Sequence, residues 1–429
     1  MPFLYTYVFY PLAFALLKLL RPFLNAKTQE MMADKTAMIF TLKNLPEDEI
    51  RKRRPFWIHA ASGEIEYARP VIRELQKNFP GVPILITHSS PSAKKILRSL
   101  DGVAAWGPLP WDFPGTSRHF LQRWQPRCLL VARTDVWPMI AASAKKQNVP
   151  ALLFSATFAE NSSRLRGLSA KTTTWALNSL SAIQCVSAED VKELSRLPLK
   201  TPISIRGDTR FDQVFHRLQN PKPLKEALKP ASDHSVLIAG STWPEDERVL
   251  LPAFAKLVAV RTDGPRLILA PHEVGEEHLR EIEKCLGDNG LTGVRYSNAR
   301  AWSSHTGREV LIIDQVGLLA ELYTWGDIAF VGGSFKRQVH SVMEPLAAGL
   351  PVLIGPHHFN NREALVFQKI SFDDQAAVSV VRSEEELAKK LTELLDGVSD
   401  SFASMLIEEL QGRSLATRAV VDWVREVTG

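Results

Sequence analysis

The feature that most constrains this chain is a rhythm. Short, wholly apolar, strand-type runs alternate with stretches whose apolar residues recur every three or four positions. The first run, Phe56-Trp57-Ile58-His59-Ala60, leads into a segment from Glu64 in which Ile65, Ala68, Ile72, Leu75 and Phe79 mark one helix face. Residues 84–87, 128–132, 151–154, 182–186 and 203–205 read as further strands. A second series follows at 236–239, 267–270, 310–313, 328–331 and 352–354. Strands this uniformly apolar are buried on both faces, which predicts parallel sheets covered by helices, an α/β architecture. Between the series the pattern lapses around Pro221, Pro223 and Pro230, so residues 217–233 are predicted to link two Rossmann-like, doubly wound domains at 25–216 and 234–400. A length of 429 residues suits two such domains. Ligands of this fold bind at the carboxyl ends of the strands, here expected in a cleft between the domains. Residues 401–429 are helical in pattern and are expected to pack back across both domains.

Residues 3–20 are almost wholly apolar, interrupted by Pro11 and Lys18 and closed by Arg21-Pro22. Eighteen helical residues span about 27 Å, borderline for a bilayer core of ~30 Å. Residues 1–24 are therefore expected to be a membrane anchor that either spans or lies in the interface. Without a basic start or an Ala-x-Ala site it does not read as a cleaved signal peptide. Lys18, Arg21, Lys27 and the run Arg51-Lys52-Arg53-Arg54 all follow the apolar segment, which places the catalytic body on the cytoplasmic side by the positive-inside rule. With a net charge of +5, that run reads as a solvated face or as a contact with an anionic membrane surface, worth about 1 kcal/mol per basic residue. No aromatic-interleaved basic stripe or zinc-finger spacing supports a nucleic-acid partner. Cys128, Cys185 and Cys285 are expected to be reduced thiols, and the histidines lack metal-ligand spacing, so no metal is expected.

The loops at the strand ends carry the chemistry. His59-Ala60-Ala61-Ser62-Gly63-Glu64 leaves a strand and opens a helix. Glu64 fits a general base for a substrate hydroxyl, or equally a helix-start carboxylate with Ser62 as the cap, in which case the dipole lowers its pKa. In the second half Ser241, Pro271-His272, Val316-Gly317-Leu318 and Gly333-Ser334 each follow an apolar strand, an arrangement that offers amides and hydroxyls to a nucleotide. Ser341-Val342-Met343-Glu344 comes next, and its carboxylate is placed to accept ribose hydroxyls. There is no Gly-x-x-x-x-Gly-Lys-Ser/Thr, no Gly-x-Gly-x-x-Gly after the first strand and no Gly-x-Ser-x-Gly, which argues against kinases, dehydrogenases and serine hydrolases.

Several of these segments carry a family likeness: the loop at 59–64, Thr134-Asp135-Val136-Trp137-Pro138, Gly207-Asp208-Thr209-Arg210-Phe211-Asp212, Ala329-Phe330-Val331-Gly332-Gly333-Ser334, Glu344-Pro345 and Gly355-Pro356-His357-His358-Phe359-Asn360. By them the chain resembles the 3-deoxy-D-manno-octulosonic acid (Kdo) transferases of lipopolysaccharide synthesis. The resemblance implies a GT-B fold, CMP-Kdo as the nucleotide-sugar donor, a lipid A precursor as acceptor, an inner-membrane location and no metal or other cofactor. It implies inverting transfer with Glu64 as base, and Arg210 and Asp135 in catalytic roles. It also implies CMP held by Pro271, His272, Val316, Gly317, Leu318, Ser341, Val342, Met343 and Glu344. The family's Ser-Val-Gly-Glu loop is one residue shorter here, between Ser62 and Gly63. Where the family has Met-Glu-Thr-Glu-Leu-Trp-Pro, Arg133 replaces the first glutamate and Asp135 the second. Two alternatives stay open: a GT-B transferase using a UDP-sugar, and a non-catalytic nucleotide-binding paralogue.

Overall fold

The computed structural model describes residues 2–231, 234–261, 264–300, 308–399 and 401–429. Residues 232–233 of the expected linker, 262–263, 301–307 and 400 of the expected second domain, and residue 1 of the anchor lie outside the described residues. The chain divides into two compact units, Met1–Gln213 with Arg413–Gly429, and Val214–Gly412. The first division falls inside the helix Thr209–Gln219, and the second falls between the last two helices, Phe402–Gly412 and Ala416–Thr428. The C-terminal stretch is therefore two helices, one belonging to each unit.

The first unit contains β1 (Thr41–Leu42), β2 (Phe56–His59), β3 (Ile84–His88), β4 (Ala105–Pro108), β5 (Cys128–Ala132), β6 (Ala151–Ala156), β7 (Ala182–Cys185) and β8 (Ile203–Ile205). They form one sheet in the order β1-β4-β3-β2-β5-β6-β7-β8, parallel except at β1. Alternate residues feed opposite cores, Trp57, Leu129 and Leu153 on one face, Phe56, Ile58, Leu130 and Phe154 on the other. The helices Pro114–Trp124 and Pro138–Lys146 cover the first face. Ile65–Asn78 and Ala416–Thr428 cover the second. The sequence rhythm misses β4 because Gly107 and Pro108 interrupt it. A Cβ on Gly107 would lie 2.6 Å from the Phe40 ring, so the glycine admits that close packing.

The N-terminal helix, Pro2–Leu19, is the one described helix long and apolar enough to cross a membrane. A π turn at Tyr5–Phe9 precedes Pro11, whose ring disfavours a regular turn. One face is docked on the unit. The Tyr5 hydroxyl donates to Asp112 Oδ2 at 2.7 Å, and Tyr10 accepts from the Asp112 amide at 2.9 Å. Phe14 packs edge-on against Trp111 and Phe113. The other face exposes Phe3, Tyr7, Leu12, Leu16 and Leu19, and Phe23 just beyond is exposed as well. The basic run at 51–54 begins in the last turn of the helix Glu47–Lys52, with Arg51, Lys52 and Arg53 paired to Asp48 and Glu49 on the surface.

The second unit contains β9 (Val236–Thr242), β10 (Arg266–Pro271), β11 (Thr292–Arg295), β12 (Glu309–Ile312), β13 (Ile328–Val331), β14 (Val352–Ile354) and β17 (Val378–Val380), all parallel, in the order β11-β12-β10-β9-β13-β14-β17. A small hairpin, β15 (Ser371–Phe372) and β16 (Gln375–Ala376), stands apart. All the strands expected from the apolar runs form. The edge strands β8 and β11 are only partly buried, because an edge has a neighbour on one side alone. In the parallel part of each sheet the winding direction reverses once, with the switch between β2 and β5 and between β9 and β13. Such switch points leave a crevice beyond the strand ends.

Candidate active site

At the first switch point, β2 ends at His59 beside Val131 of β5, so the loops after both strands meet. The buried His59 ring has Nδ1 3.0 Å from the Thr87 carbonyl and hydroxyl, while Nε2 lies 3.0 Å from Asp135 Oδ2. Trp57 Nε1 donates to the Thr87 hydroxyl at 2.8 Å, and the Ser89 hydroxyl donates to Asp135 Oδ2 at 2.5 Å. Burial pushes the Asp135 carboxyl up, but the bonds and charge from His59 and the Ser89 bond outweigh it and hold Asp135 well below the usual carboxylate range. Asp135 thus stands as the fixed anion of a His59–Asp135–Ser89 group. Lys35 sits over the rings of Trp137 and Trp111, at 4.6 and 5.3 Å, and burial lowers its pKa to about 8.

Glu64 immediately precedes the helix Ile65–Asn78 and accepts from the Ala61 amide at 3.1 Å. Ser62 does not cap the helix, since its hydroxyl pairs with that of Ser92 at 2.6 Å. The helix-start reading predicts a lowered carboxyl. Instead burial pushes Glu64 up, aided by the charge of Asp135 and opposed by the Ala61 amide, His59 and Arg133. One turn into the helix, the Tyr67 ring carries two guanidiniums, Arg210 at 4.6 Å and Arg133 at 5.3 Å from its centroid. Arg133 adopts a left-handed conformation, φ 65°, directly after β5.

Arg210 is also held by Asp208, with Nη2 to Oδ2 at 3.1 Å. The surrounding segment is a junction. The Thr209 amide donates to Ser155 Oγ, the Thr209 hydroxyl donates to the Tyr67 carbonyl, and Asp212 accepts from the Thr417 amide and hydroxyl at 3.1 and 2.8 Å. Gly207, at φ 87°, passes so near the Arg413 carbonyl that a Cβ would lie 2.9 Å from it.

At the second switch point the frame is mostly backbone. The fully buried Asp246 accepts from the amides of Trp243, Gly333 and Phe335 at 2.9, 2.7 and 2.9 Å, fixing the ends of β9 and β13 to each other. The Ser334 hydroxyl is turned inward, donating to the Val331 carbonyl and accepting from the Gly355 amide at 2.7 Å. Ser241 sits at φ 55°, and a Cβ on Gly332 would come within 2.4 Å of its carbonyl. Pro271 is buried at the end of β10 and His272 is exposed. His272 stacks between Trp243 and His340, with centroids at 4.6 and 4.5 Å. Trp243 Nε1 donates to His340 Nε2 at 3.0 Å, and burial lowers the His340 pKa to about 4, which suits an accepting ring nitrogen. Lys336 lies 3.3 Å above the Trp243 ring. Val316 is exposed and Leu318 precedes a short helix, while the Gly317 carbonyl accepts from Arg217 and Lys222, each at 3.1 Å. Val342 and Met343 are buried, so they offer a ligand backbone rather than side chains. The Ser341 hydroxyl donates to the Glu344 carboxylate at 2.5 Å.

The sequence reading did not single out Ser89, Tyr67, Trp243, Asp246 or Lys336. Only Trp243 and Asp246 left a local signal, the pattern Thr-Trp-Pro-Glu-Asp at a helix start. Among the described residues no group of three or more His, Cys, Asp or Glu is placed to hold a metal ion.

Comparison with known proteins supplies the family. Residues 36–213 match the model described as 3-deoxy-D-manno-octulosonic-acid transferase (kdotransferase). A 3-deoxy-D-manno-octulosonic acid transferase of Bordetella pertussis is 32% identical over 72% of this chain and 73% of its own length. Its counterpart in Aquifex aeolicus is 29% identical over 86% of this chain and 94% of its own. Among solved structures, a UDP-GlcNAc 2-epimerase from Neisseria meningitidis aligns with a TM-score of 0.59 and 14% identity, covering 87% of this chain and all of that one. That likeness concerns the fold, two Rossmann-like units of GT-B type. With the sequence match spanning most of both chains and the GT-B architecture beneath it, this chain belongs to the 3-deoxy-D-manno-octulosonic acid transferase family of glycosyltransferases.

Proposed function

We propose that this chain transfers Kdo from CMP-Kdo to a lipid A precursor at the cytoplasmic face of the inner membrane, with inversion. The observation that carries this reading is the Glu64 carboxylate, half-buried at a switch point, made more basic by burial and flanked by positive charge. In the proposed step Glu64 takes the proton of the acceptor hydroxyl as its oxygen bonds to the anomeric carbon. The bond from that carbon to the phosphate oxygen breaks, and CMP leaves with the electron pair. Arg210, with Arg133 beside it on Tyr67, counters negative charge on the donor, and no metal ion takes part. Asp135, fixed by His59 and Ser89, holds the loop that presents Arg133 and keeps Glu64 basic.

In this reading the second unit holds CMP. Ser241, Gly333 and Ser334 shape the strand ends. Pro271, His272 and the 316–318 loop receive the base, and residues 341–344 offer amides and the Glu344 carboxylate to the ribose and phosphate. The exposed apolar face of the N-terminal helix, with Lys18, Arg21 and Lys27 nearby, keeps the enzyme on an anionic membrane surface where its acceptor resides.

The test is CMP release from CMP-Kdo in the presence of a lipid A precursor. Glu64→Gln abolishes release and leaves CMP binding intact, and unchanged turnover in that variant would reject the base assignment. Protection against heating by UDP rather than CMP would move the donor to a UDP-sugar. CMP binding without turnover on any acceptor would leave a nucleotide-binding paralogue.

A further inference from the structure

A cavity of about 490 Å³ lies within the first unit, between the N-terminal helix and the helix Gly167–Leu177. Its walls are largely apolar: Tyr5 and Phe9 from the first helix, Leu168 from the second, and Val136, Trp137 and Phe158 from the loops between. The size falls in the ~300–1,000 Å³ range of small-ligand sites. Two features separate it from an ordinary packing gap. Phe9 and Leu168, which line it, are themselves 42% and 62% exposed, so apolar wall and apolar surface are continuous there. That surface runs on into the outer face of the N-terminal helix, an exposed apolar stripe of the kind that marks contact with a membrane or partner. At the other extreme the lining includes Thr134 and Asp135, and Asp135 is bonded to His59 of the candidate active site.

We infer that this cavity receives an acyl chain of the lipid acceptor, so that the chain is anchored between the two helices while the sugar headgroup reaches the Glu64–Asp135 end. This rests on the transferase reading above and adds the part of the acceptor recognised apart from the reacting hydroxyl. Beside Leu168 and Leu177, the other four residues of Gly167–Leu177 that line the cavity are small, Ser169, Thr172, Thr173 and Ala176, which leaves room where larger side chains would close it. Arg164, also in the lining, donates to the Thr134 carbonyl and sets a cation at the polar part of the wall, suited to a phosphate on the headgroup. The N-terminal helix is a wall of the cavity only while docked. Its Tyr5 and Tyr10 contacts with Asp112, itself bonded to the Met139 and Ile140 amides, hold it there. While docked in this way the helix forms one wall of the cavity and turns its other apolar face outward.

The experiment uses the full chain in detergent micelles with a lipid A precursor bearing a diazirine near the end of one acyl chain. After illumination, peptide mapping is expected to place adducts on Tyr5, Phe9 and Leu168. Excess unlabelled precursor should displace them and an equal excess of phosphatidylethanolamine should not. Adducts confined to the outer helix face, or equal displacement by the phospholipid, would overturn the inference. A second measurement compares kcat/KM for the acylated precursor with that for its deacylated headgroup. Thr172→Trp, which narrows the cavity, is expected to lower that ratio about tenfold, whereas an unchanged ratio would count against the site. Labelling needs no turnover and is read in Glu64→Gln as well. In the unaltered chain, labelling without any transfer rejects the transferase reading alone, and turnover without labelling rejects the cavity alone.

Discussion

The two sheets place their functional loops at equivalent points, where the winding reverses, and furnish them with opposite materials. Beyond β2 and β5 the loops carry titratable side chains. A carboxylate made basic by burial, a second one held strongly acidic and two guanidiniums on one tyrosine ring all face the same loops. Beyond β9 and β13 the polar side chains turn inward. Asp246 holds three amides and Ser334 bridges two backbone groups, and what remains facing outward is backbone and the rings of Trp243, His272 and His340. A site that moves a proton needs titratable groups whose environments push their pKa values apart. A site that only grips a ligand needs a rigid frame. One topology can serve either task, because the sheet fixes where the loops are and leaves open what they carry.

The strongest way to break this comparison is to remove the frame. Asp246→Ala leaves one buried and two part-buried amides without their acceptor, and the expected cost to the second unit is about 3–5 kcal/mol. Hydrogen exchange at Gly333 and Phe335 should accelerate while exchange in β2 and β5 does not change. Retained protection at Gly333 would show that the glycine loop stands without the carboxylate.

A smaller effect is expected on the charged side. Asp135→Asn keeps the shape and removes the anion that faces His59 and Ser89. Turnover should fall on the order of 10–100-fold with CMP binding preserved. The variant also carries a sign. Asp135 raises the Glu64 carboxyl, so without its charge Glu64 ionises more readily, and the acid limb of the pH–rate profile moves to lower pH. Full activity with an unmoved limb would separate Asp135 from the base.

Much of this was legible in the sequence, and the failures share a cause. Strands buried on both faces announce themselves as apolar runs, so both sheets could be read. β4 escaped because Gly107 and Pro108 answer to Phe40, a residue far away in sequence. Glu64, Asp135 and Arg210 could be singled out as candidates because each sits in a recognisable local motif. Tyr67 and Ser89 could not, since their roles arise only when β2, β3 and β5 are adjacent. The motif at 207–212 conceals a structural task, as Thr209 and Asp212 lock Tyr67 and the last helix while Arg210 alone reaches the charged cluster. The direction of the Glu64 shift stayed open in the sequence for the same reason: burial is a property of the assembled unit, and here it outweighs the helix start.

The smallest predicted effect is also the finest probe of the contrast. Arg133 carries a positive charge where the family motif places a negative one, and it stabilises the ionised form of Glu64. Arg133→Gln removes that help, so the Glu64 carboxyl rises further and protonates earlier as pH falls. The acid limb of the profile should move to higher pH. Arg133→Glu should move it further in the same direction, because a like charge adds to the burial that already disfavours the carboxylate. Since Asp135→Asn moves the limb the opposite way, the pair of variants measures the field at Glu64 from both signs. If neither variant moves the limb, the group that titrates in turnover is not Glu64, and the charged loops of the first unit would be a frame like those of the second.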